Sequence, residues 1–308
     1  MSDVLITGGL GFIGTNLALR LLKEGKSVTV IDNLSTSDRS VLDILSPFER
    51  FEFIEQSVTE PFPEIEAEVV YHLAAPASPI KYAAHPVDTI DTIVNGTKNA
   101  LEFARANSSR LIIASTSEIY GECQEHPQKE SYYGNVHTMN IRACYDEAKR
   151  CAETLAYCHY ATEGTNAVCA RIFNTYGPHM QLDDGRVITS FIRSYLKSEP
   201  LKIFGDGSQT RSFCYVDDLL DGLQSLAASD MKGMAINLGN PEEITINELS
   251  DIFIEICGKN LGKRYEPKMD HEPLKRSPDI TLAKEKLGFT PTVSLRTGIE
   301  KMLRYYDQ

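Results

Sequence analysis

The sequence predicts a doubly wound α/β fold, a parallel sheet with helices on both faces, followed by a smaller α/β lobe. Three observations predict it. Short apolar runs alternate with longer amphipathic stretches from Val4 to Ile172, the signature of strands joined by helical crossovers. The first strand-to-helix turn, Thr7 to Gly14, reads Thr-Gly-Gly-Leu-Gly-Phe-Ile-Gly. The candidate functional residues of this half fall where strands end at their carboxyl termini, which is where ligands of such sheets bind.

In chain order, Val4-Leu5-Ile6 is the first strand and Leu17 to Leu22 lies in the first helix. Between them, Gly8 permits the tight turn, Gly11 lets backbone approach a pyrophosphate, and Gly14 lets helix pack on strand. The helix N-terminus then favours the anion. The next strand, Ser27 to Ile31, ends in Asp32, placed to bind the adenosine ribose hydroxyls and to repel a 2′-phosphate, so NAD is expected over NADP. This makes the sheet Rossmann-type. Asn33 to Ser40 is polar, and strands follow at Phe51 to Glu55 and Glu68 to Leu73. The latter opens into Ala74-Ala75-Pro76-Ala77-Ser78-Pro79, small residues that let a ligand lie against backbone. Helices over 87–106 and 143–162 flank the strand Arg110 to Ala114, and a strand runs from Asn166 to Ile172. Beyond Tyr176-Gly177-Pro178 the pattern loosens. Helices are expected at Val187 to Leu196, Asp217 to Ala228, Ile246 to Cys257, Ile280 to Leu287 and Leu295 to Tyr306, with strands at Leu201 to Phe204, Arg211 to Tyr215 and Ala235 to Leu238. The expected division is a cofactor-binding part, 1–178, and a substrate-binding lobe, 179–308, with at least one later strand returning to the main sheet and the substrate cleft between them.

At 42% hydrophobic and 24% charged, the 308 residues have the composition of a soluble globular protein. A net charge of −12 argues against a nucleic-acid partner. With no long apolar span and a first strand near residue 1, neither signal peptide nor membrane anchor is expected. Seven cysteines, an odd number without a Cys-x-x-Cys, fit a reducing cytoplasm. Cys144, Cys151 and Cys158 recur at seven-residue spacing, about 10 Å apart along a helix and too far to share a metal. They are read as buried small hydrophobes on one helical face. No metal site is expected.

Tyr145 and Lys149 are four apart on the 143–162 helix and share a face. A nearby ammonium favours phenolate, which gives a base for a hydroxyl during hydride transfer. Ser115-Thr116-Ser117-Glu118 follows the strand Arg110 to Ala114, where hydroxyls and a carboxylate can orient a substrate and shuttle protons. Spacing alone reads that stretch equally well as a polar turn with a helix cap.

The glycine loop, Ser-Thr-Ser-Glu-Ile-Tyr-Gly at 115–121 and Tyr-x-x-x-Lys together resemble the extended short-chain dehydrogenase/reductases of the NAD-dependent epimerase/dehydratase family, which act on nucleotide sugars. Further segments resemble its UDP-glucuronate decarboxylase branch: His72 to Pro79, His126-Pro-Gln128, Cys144 to Arg150, Ala170 to Pro178, Asp183 to Val187, Gly205 to Tyr215 and Lys275-Arg-Ser-Pro-Asp-Ile280. The chain departs from that branch at Ser57-Val58, where an acid usually precedes the valine, and across Asn135 to Asn140, the loop before the tyrosine.

The resemblance implies conversion of UDP-glucuronate to UDP-xylose by C4 oxidation, loss of CO2 and hydride return. A 4,6-dehydratase, a 4-epimerase and a non-catalytic nucleotide-sugar-binding regulator are the alternatives. It implies Thr116, Ser117, Glu118, Tyr145, Lys149 and Arg276 as the catalytic set. NAD would touch Gly8, Gly11, Phe12, Ile13, Gly14, Asp32, Asn33, Ser35, Thr36, Ser57, Val58, Leu73, Ala74, Ala75, Asn95, Ser115, Tyr145, Lys149 and Ile172. The nucleotide sugar would touch Pro76, Tyr82, Thr116, Glu118, Asn174, Arg186, Val187, Ile203, Phe204, Gln209, Arg211 and Arg276. A homodimer through helices 87–106 and 143–162 is also implied.

Overall fold

The computed structural model describes residues 2–267 and 275–307. The first half alternates as expected: β1 (Ser2–Thr7), α1 (Phe12–Lys23), β2 (Val28–Asp32), α2 (Leu42–Leu45), β3 (Phe51–Glu55), β4 (Ala67–His72), α3 (Pro79–Ala84), α4 (Pro86–Asn107), β5 (Arg110–Thr116), α5 (Ala143–Glu163) and β6 (Ala167–Ile172). The rest holds β7 (Thr175–Tyr176), α6 (Val187–Lys197), β8 (Leu201–Phe204), β9 (Thr210–Ser212), β10 (Cys214–Tyr215), α7 (Val216–Ala228) and β11 (Ala235–Leu238). It ends with β12 (Glu243–Thr245), α8 (Ile246–Cys257), β13 (Lys263–Glu266), α9 (Thr281–Leu287) and α10 (Leu295–Tyr306).

Seven strands form one parallel sheet in the order β11-β6-β5-β4-β1-β2-β3. The strand expected to return to it is β11, paired with β6 from Ala235↔Cys169 to Leu238↔Ile172. The strand expected across Arg211 to Tyr215 is instead two short pieces: β9 pairs antiparallel with β12 and β10 pairs parallel with β7.

Alternation along the strands builds two cores. Ile6, Val30, Ile112 and Val168 point to the face covered by Leu17 and Leu21 of α1 and Leu219 and Leu223 of α7. Their neighbours Leu5, Ile31, Leu111, Ile113 and Cys169 point to the opposite face, under Ala100 and Leu101 of α4 and Ala156 of α5. Both faces are covered, so the inner strands are mostly apolar, as a buried parallel sheet requires, while the edge strand β3 mixes Phe and Ile with exposed Glu52 and Glu55. The helices stop where the sequence gives them a left-handed residue: Ser108 after α4, Gly164 after α5 and Gly258 after α8. A capping box between Thr245 and Glu248 starts α8.

The cysteine expectation needs correction. Cys144 is buried, but Cys151 and Cys158 are exposed. A seven-residue step drifts by about 20° on a straight helix, and at that level of α5 the buried face is taken by Ala152 and Ala156.

Candidate active site

One cavity of about 660 Å³ runs along the carboxyl ends of the strands and into the second lobe. Its cofactor end is built from the Thr7 to Gly14 turn. Gly8 has φ of +67°, and a Cβ there would lie 2.7 Å from the Ala74 Cα; a Cβ on Gly14 would lie 2.4 Å from the Gly8 carbonyl oxygen. Only glycines leave this cradle open. Gly11 caps α1 without any side-chain bond to the first turn, so helix N–H groups are left for an anion. Asp32 ends β2 almost fully buried. Its Oδ2 accepts from the Leu10 N–H and Ser37 hydroxyl, both at 3.1 Å, and its Oδ1 from the Leu34 N–H at 2.8 Å. Burial raises its pKa, against the pull of these bonds. The same carboxylate thus braces the glycine loop and the segment after β2, both of which line the cavity. An uncapped helix terminus, an open glycine cradle and a strand-end acid fit NAD.

At the centre, β5 ends in Thr116, whose Oγ1 accepts from the Glu118 N–H at 3.2 Å and caps the tight turn 117–120. Across from it, α5 presents Tyr145 and Lys149, both buried. Asn140 sets the start of that helix, accepting the Arg142 N–H on its side chain at 3.1 Å and the Ala143 N–H on its carbonyl at 3.0 Å. Lys149 Nζ donates to the Ala114 carbonyl at 2.6 Å and stands 5.8 Å from the Tyr145 ring centroid. Burial lowers the Lys149 pKa to about 8. Burial, then the Glu118 charge, push the Tyr145 hydroxyl up, opposed by a Thr116 hydrogen bond and by Arg186. The expected lowering of the Tyr145 pKa is not what the structure shows: burial is the largest influence on it, and it acts upward. Behind Lys149, burial holds His72 neutral, its Nδ1 2.8 Å from the Thr7 hydroxyl.

Glu118 is clasped by two arginines. Arg276 donates from Nη1 at 2.6 Å and Nη2 at 3.1 Å, and Arg142 Nη2 donates at 2.7 Å. Burial alone would raise the Glu118 pKa, but the two guanidinium charges hold it well below the usual carboxylate range. Arg276 Nε is buried with no protein partner, a donor left over for a ligand. Beside this cluster, burial and the Glu118 charge raise the Asp146 carboxyl to about 7. Two guanidinium groups against one firmly ionised carboxylate leave the pocket short of negative charge, the balance an acidic substrate would restore.

Further along, Asn174, Arg186, Val187, Phe204, Gln209 and Arg211 line the cavity, with Arg193 and Lys202 adding to the basic wall. Arg186 caps α6 with its side chain leaning on Asp184 at 3.6 Å, and Val187 opens that helix. Pro76 lines the wall, as do all the expected cofactor contacts except Ser57 and Asn95.

Four expected contacts lie off the wall. Ser57 turns its hydroxyl to that of Thr59 at 2.8 Å. Asn95 sits on the outer side of α4, bonded to Asp91 at 3.2 Å. Ile203 is fully buried, because β8 alternates and gives Lys202 and Phe204 to the cavity. Tyr82 lies behind Tyr145, the two rings stacked at 5.1 Å and 7°. Arg142, which pairs with Glu118 at the centre of the cavity, is a side chain that the sequence reading missed. Its signal was available: it precedes Tyr145 by three residues and so shares its helical face.

Residues 4–239 match the model of the NAD dependent epimerase/dehydratase family. The chain is 46% identical over 97% of its length to UDP-glucuronic acid decarboxylase 1 of Arabidopsis thaliana, covering 68% of that protein. It is 43% identical over 99% of its length to UDP-glucuronic acid decarboxylase 1 of Danio rerio, covering 72%. Among solved structures, UDP-glucuronic acid 4-epimerase from Bacillus cereus, in complex with UDP-glucuronic acid and NAD, superimposes with a TM-score of 0.87 at 28% identity, covering 99% of this chain and 98% of that one. With a conserved-length match of this kind, a Rossmann-type sheet and the dinucleotide cradle in place, the chain belongs to the NAD-dependent epimerase/dehydratase family.

Proposed function

We propose that this chain is an NAD-dependent decarboxylase that converts UDP-glucuronate to UDP-xylose. The observation that carries the reading is the Arg142–Glu118–Arg276 cluster beside Thr116, Tyr145 and Lys149. It places a carboxylate-matched fork next to a hydroxyl-activating tyrosine, and the decarboxylase relatives agree with it. Residues 1–178 hold the cofactor and supply Thr116, Ser117, Glu118, Tyr145 and Lys149; residues 179–308 hold the nucleotide sugar and supply Arg276.

NAD, held by the Gly8–Gly11–Gly14 turn and Asp32, would supply a hydride acceptor for C4 and the hydride for its return. As the phenolate, the form that the Lys149 ammonium behind it favours, Tyr145 accepts the C4 hydroxyl proton as the hydride leaves. The new ketone is beta to the carboxylate, so the C5–C6 bonding pair passes into an enolate as CO2 departs. Thr116 and Tyr145 hydrogen-bond the enolate oxygen. Arg276, aided by Arg142, holds the carboxylate until it leaves, and Ser117 with the ionised Glu118 position it and relay a proton from water to C5. Tyr145 gives its proton back to the C4 oxygen as the hydride returns. The basic residues Arg186 and Arg211 face the diphosphate.

Proton NMR of the protein with NAD and UDP-glucuronate tests this. A UDP-xylose anomeric signal without net NADH is the expected result. UDP-galacturonate would make it an epimerase, and an unchanged spectrum would reject the substrate.

The working form is a homodimer joined through α4 and α5. Val87 and Ile90 of α4 and Tyr157 of α5 are large apolar side chains left exposed, and such a face invites a partner. Light scattering at micromolar concentration should give twice the mass of 34.3 kDa; a monomeric mass would exclude it. We place the protein in the cytoplasm on its seven unpaired cysteines, which cell fractionation would check.

A further inference from the structure

Two segments that carried the resemblance, His126-Pro-Gln128 and Lys275-Arg-Ser-Pro-Asp-Ile280, have had no chemical role apart from that of Arg276. In the structure they meet. Gln128 and Pro278 form an isolated parallel bridge. The Gln128 N–H donates to the Ser277 carbonyl at 2.9 Å, and the Asp279 N–H donates to the Gln128 carbonyl at 2.8 Å. The buried Gln128 side chain accepts the Ser277 N–H at 2.8 Å and donates to the Glu125 carbonyl at 3.0 Å. The residue next to Arg276 is therefore held at both its N–H and its carbonyl.

Asn237, on β11 and fully buried, completes the arrangement. Its Nδ2 donates to the Gln128 and Asp279 carbonyls, both at 3.0 Å. Its Oδ1 accepts from the Tyr120 hydroxyl at 2.8 Å, and its N–H donates to Glu130 Oε1 at 2.9 Å. Tyr120 closes the 117–120 turn that carries Glu118. Arg171 donates to the Tyr120 oxygen at 2.9 Å, which leaves the Tyr120 proton for Asn237, and it forks Glu153 at 2.9 and 2.8 Å. Glu153 in turn accepts from the Ser115 hydroxyl at 2.5 Å. One side-chain amide thus touches the chain on both sides of the Glu118–Arg276 pair, whose members are 158 residues apart.

We propose that Asn237, seated by Gln128, is a positioning residue for decarboxylation: its amide sets the register between the Glu118 turn and the Arg276 segment, and so holds the guanidinium where the sugar carboxylate binds. This rests on the decarboxylase reading above. A buried amide with every donor and acceptor satisfied also stabilises a fold, so the test must separate position from stability.

Asn237→Asp keeps the volume but turns a carboxylate oxygen toward two carbonyls, which breaks both bonds. On the full chain with NAD, single-turnover NADH absorbance reads C4 oxidation and labelled CO2 reads decarboxylation. Displacing Arg276 should slow CO2 release by on the order of tenfold to a hundredfold. C4 oxidation should stay within about twofold, so NADH accumulates transiently. In an Arg276→Lys background the same substitution should cost much less than it does alone. Equal slowing of both steps, or full additivity with Arg276→Lys, would overturn the proposal. Should Asn237→Asp fail to fold, Gln128→Met carries the same comparison, with Gln128→Glu, which keeps the acceptor for Ser277, expected to retain most of the activity. A wild type that releases no CO2 from UDP-glucuronate rejects the functional reading separately. Hydrogen exchange at the Ser277 and Asp279 amides then tests the clamp without substrate: faster exchange in Asn237→Asp supports it, and unchanged exchange overturns it.

Discussion

The two ends of the cavity are built by opposite means. The cofactor end is local: Gly8, Gly11 and Gly14 lie within seven residues, and Asp32 reaches back to Leu10 and forward to Leu34 and Ser37. Its shape follows from main-chain geometry and from side chains that are absent. The carboxylate end is assembled from Glu118, Arg142 and Arg276, which come from three separate stretches. Its shape follows from ion pairs in a desolvated place, where each charge depends on the others. A local cradle tolerates change elsewhere in the chain. A long-range cluster is only as good as the framework that brings its parts together, and it is also where substrate choice can be altered without disturbing the cofactor.

The comparison can be broken most severely at the junction of the two ends. Tyr145→Phe removes the group proposed to take the C4 proton and should lower kcat by about 10³-fold. NAD affinity, measured by calorimetry, should hardly move; a parallel loss of NAD binding would mean that the two ends are not separable. Next comes the cluster itself. Arg276→Ala should abolish measurable CO2 release. It also leaves Glu118 buried with only Arg142, and breaking a buried pair costs about 3–5 kcal/mol, so thermal unfolding should show a clear drop. Glu118→Gln should likewise lose decarboxylation, and full activity in either variant would remove that residue from the reaction. Smaller again is Asp32→Asn. It keeps the shape but weakens three hydrogen bonds and the ribose contact, and should raise the Kd for NAD about tenfold, near 1.4 kcal/mol. UDP binding should stay unchanged; equal losses for both ligands would contradict the local character of the cradle.

The same contrast explains what could be read from the chain. The alternation of strands and helices, the glycine turn, the place of Asp32 at the end of a strand and the shared helical face of Tyr145 and Lys149 were legible because each is a short-range pattern tied to a fixed period or turn. Arg142 was within reach of the same helical arithmetic but has no meaning until Glu118 is opposite it. The placement of Ile203 failed on the two-residue period of β8, a register that one position reverses. Tyr82 failed for a different reason: the resemblance put it at the substrate, whereas packing puts it behind Tyr145 as a stacked wall. The exposure of Cys151 and Cys158 depends on which face of α5 meets the sheet, and Ala152 and Ala156 take that face. The role of Gln128 and Asn237 was invisible, because nothing in their neighbourhoods in sequence says that Ser277 and Asp279 will lie against them.

The smallest expected effect is the sharpest test of the charge arithmetic at the assembled end. Asp146 is buried beside Glu118, and its Oδ1 has no partner. Burial, then the Glu118 charge, lift its pKa from 3.8 to about 7. Between those values the native state binds more protons than the unfolded state, so this group favours folding below pH 4 and that contribution is lost as pH rises through 7. Asparagine does not titrate. Asp146→Asn should therefore gain on the wild type as pH rises, its Tm advantage growing by about 2–4 °C between pH 5 and pH 8. Parallel curves across that range would show that Asp146 is not desolvated. Because the Glu118 charge is the second cause of the shift, Glu118→Gln should move the window to lower pH, where Arg142 and Arg276 act on Asp146 unopposed. At the cofactor end, burial also raises Asp32, but three hydrogen bonds pull it back, so Asp32→Asn should show a weaker dependence of the same sign. A dependence at Asp32 as steep as that at Asp146 would mean that local hydrogen bonds compensate burial no better than distant charges do.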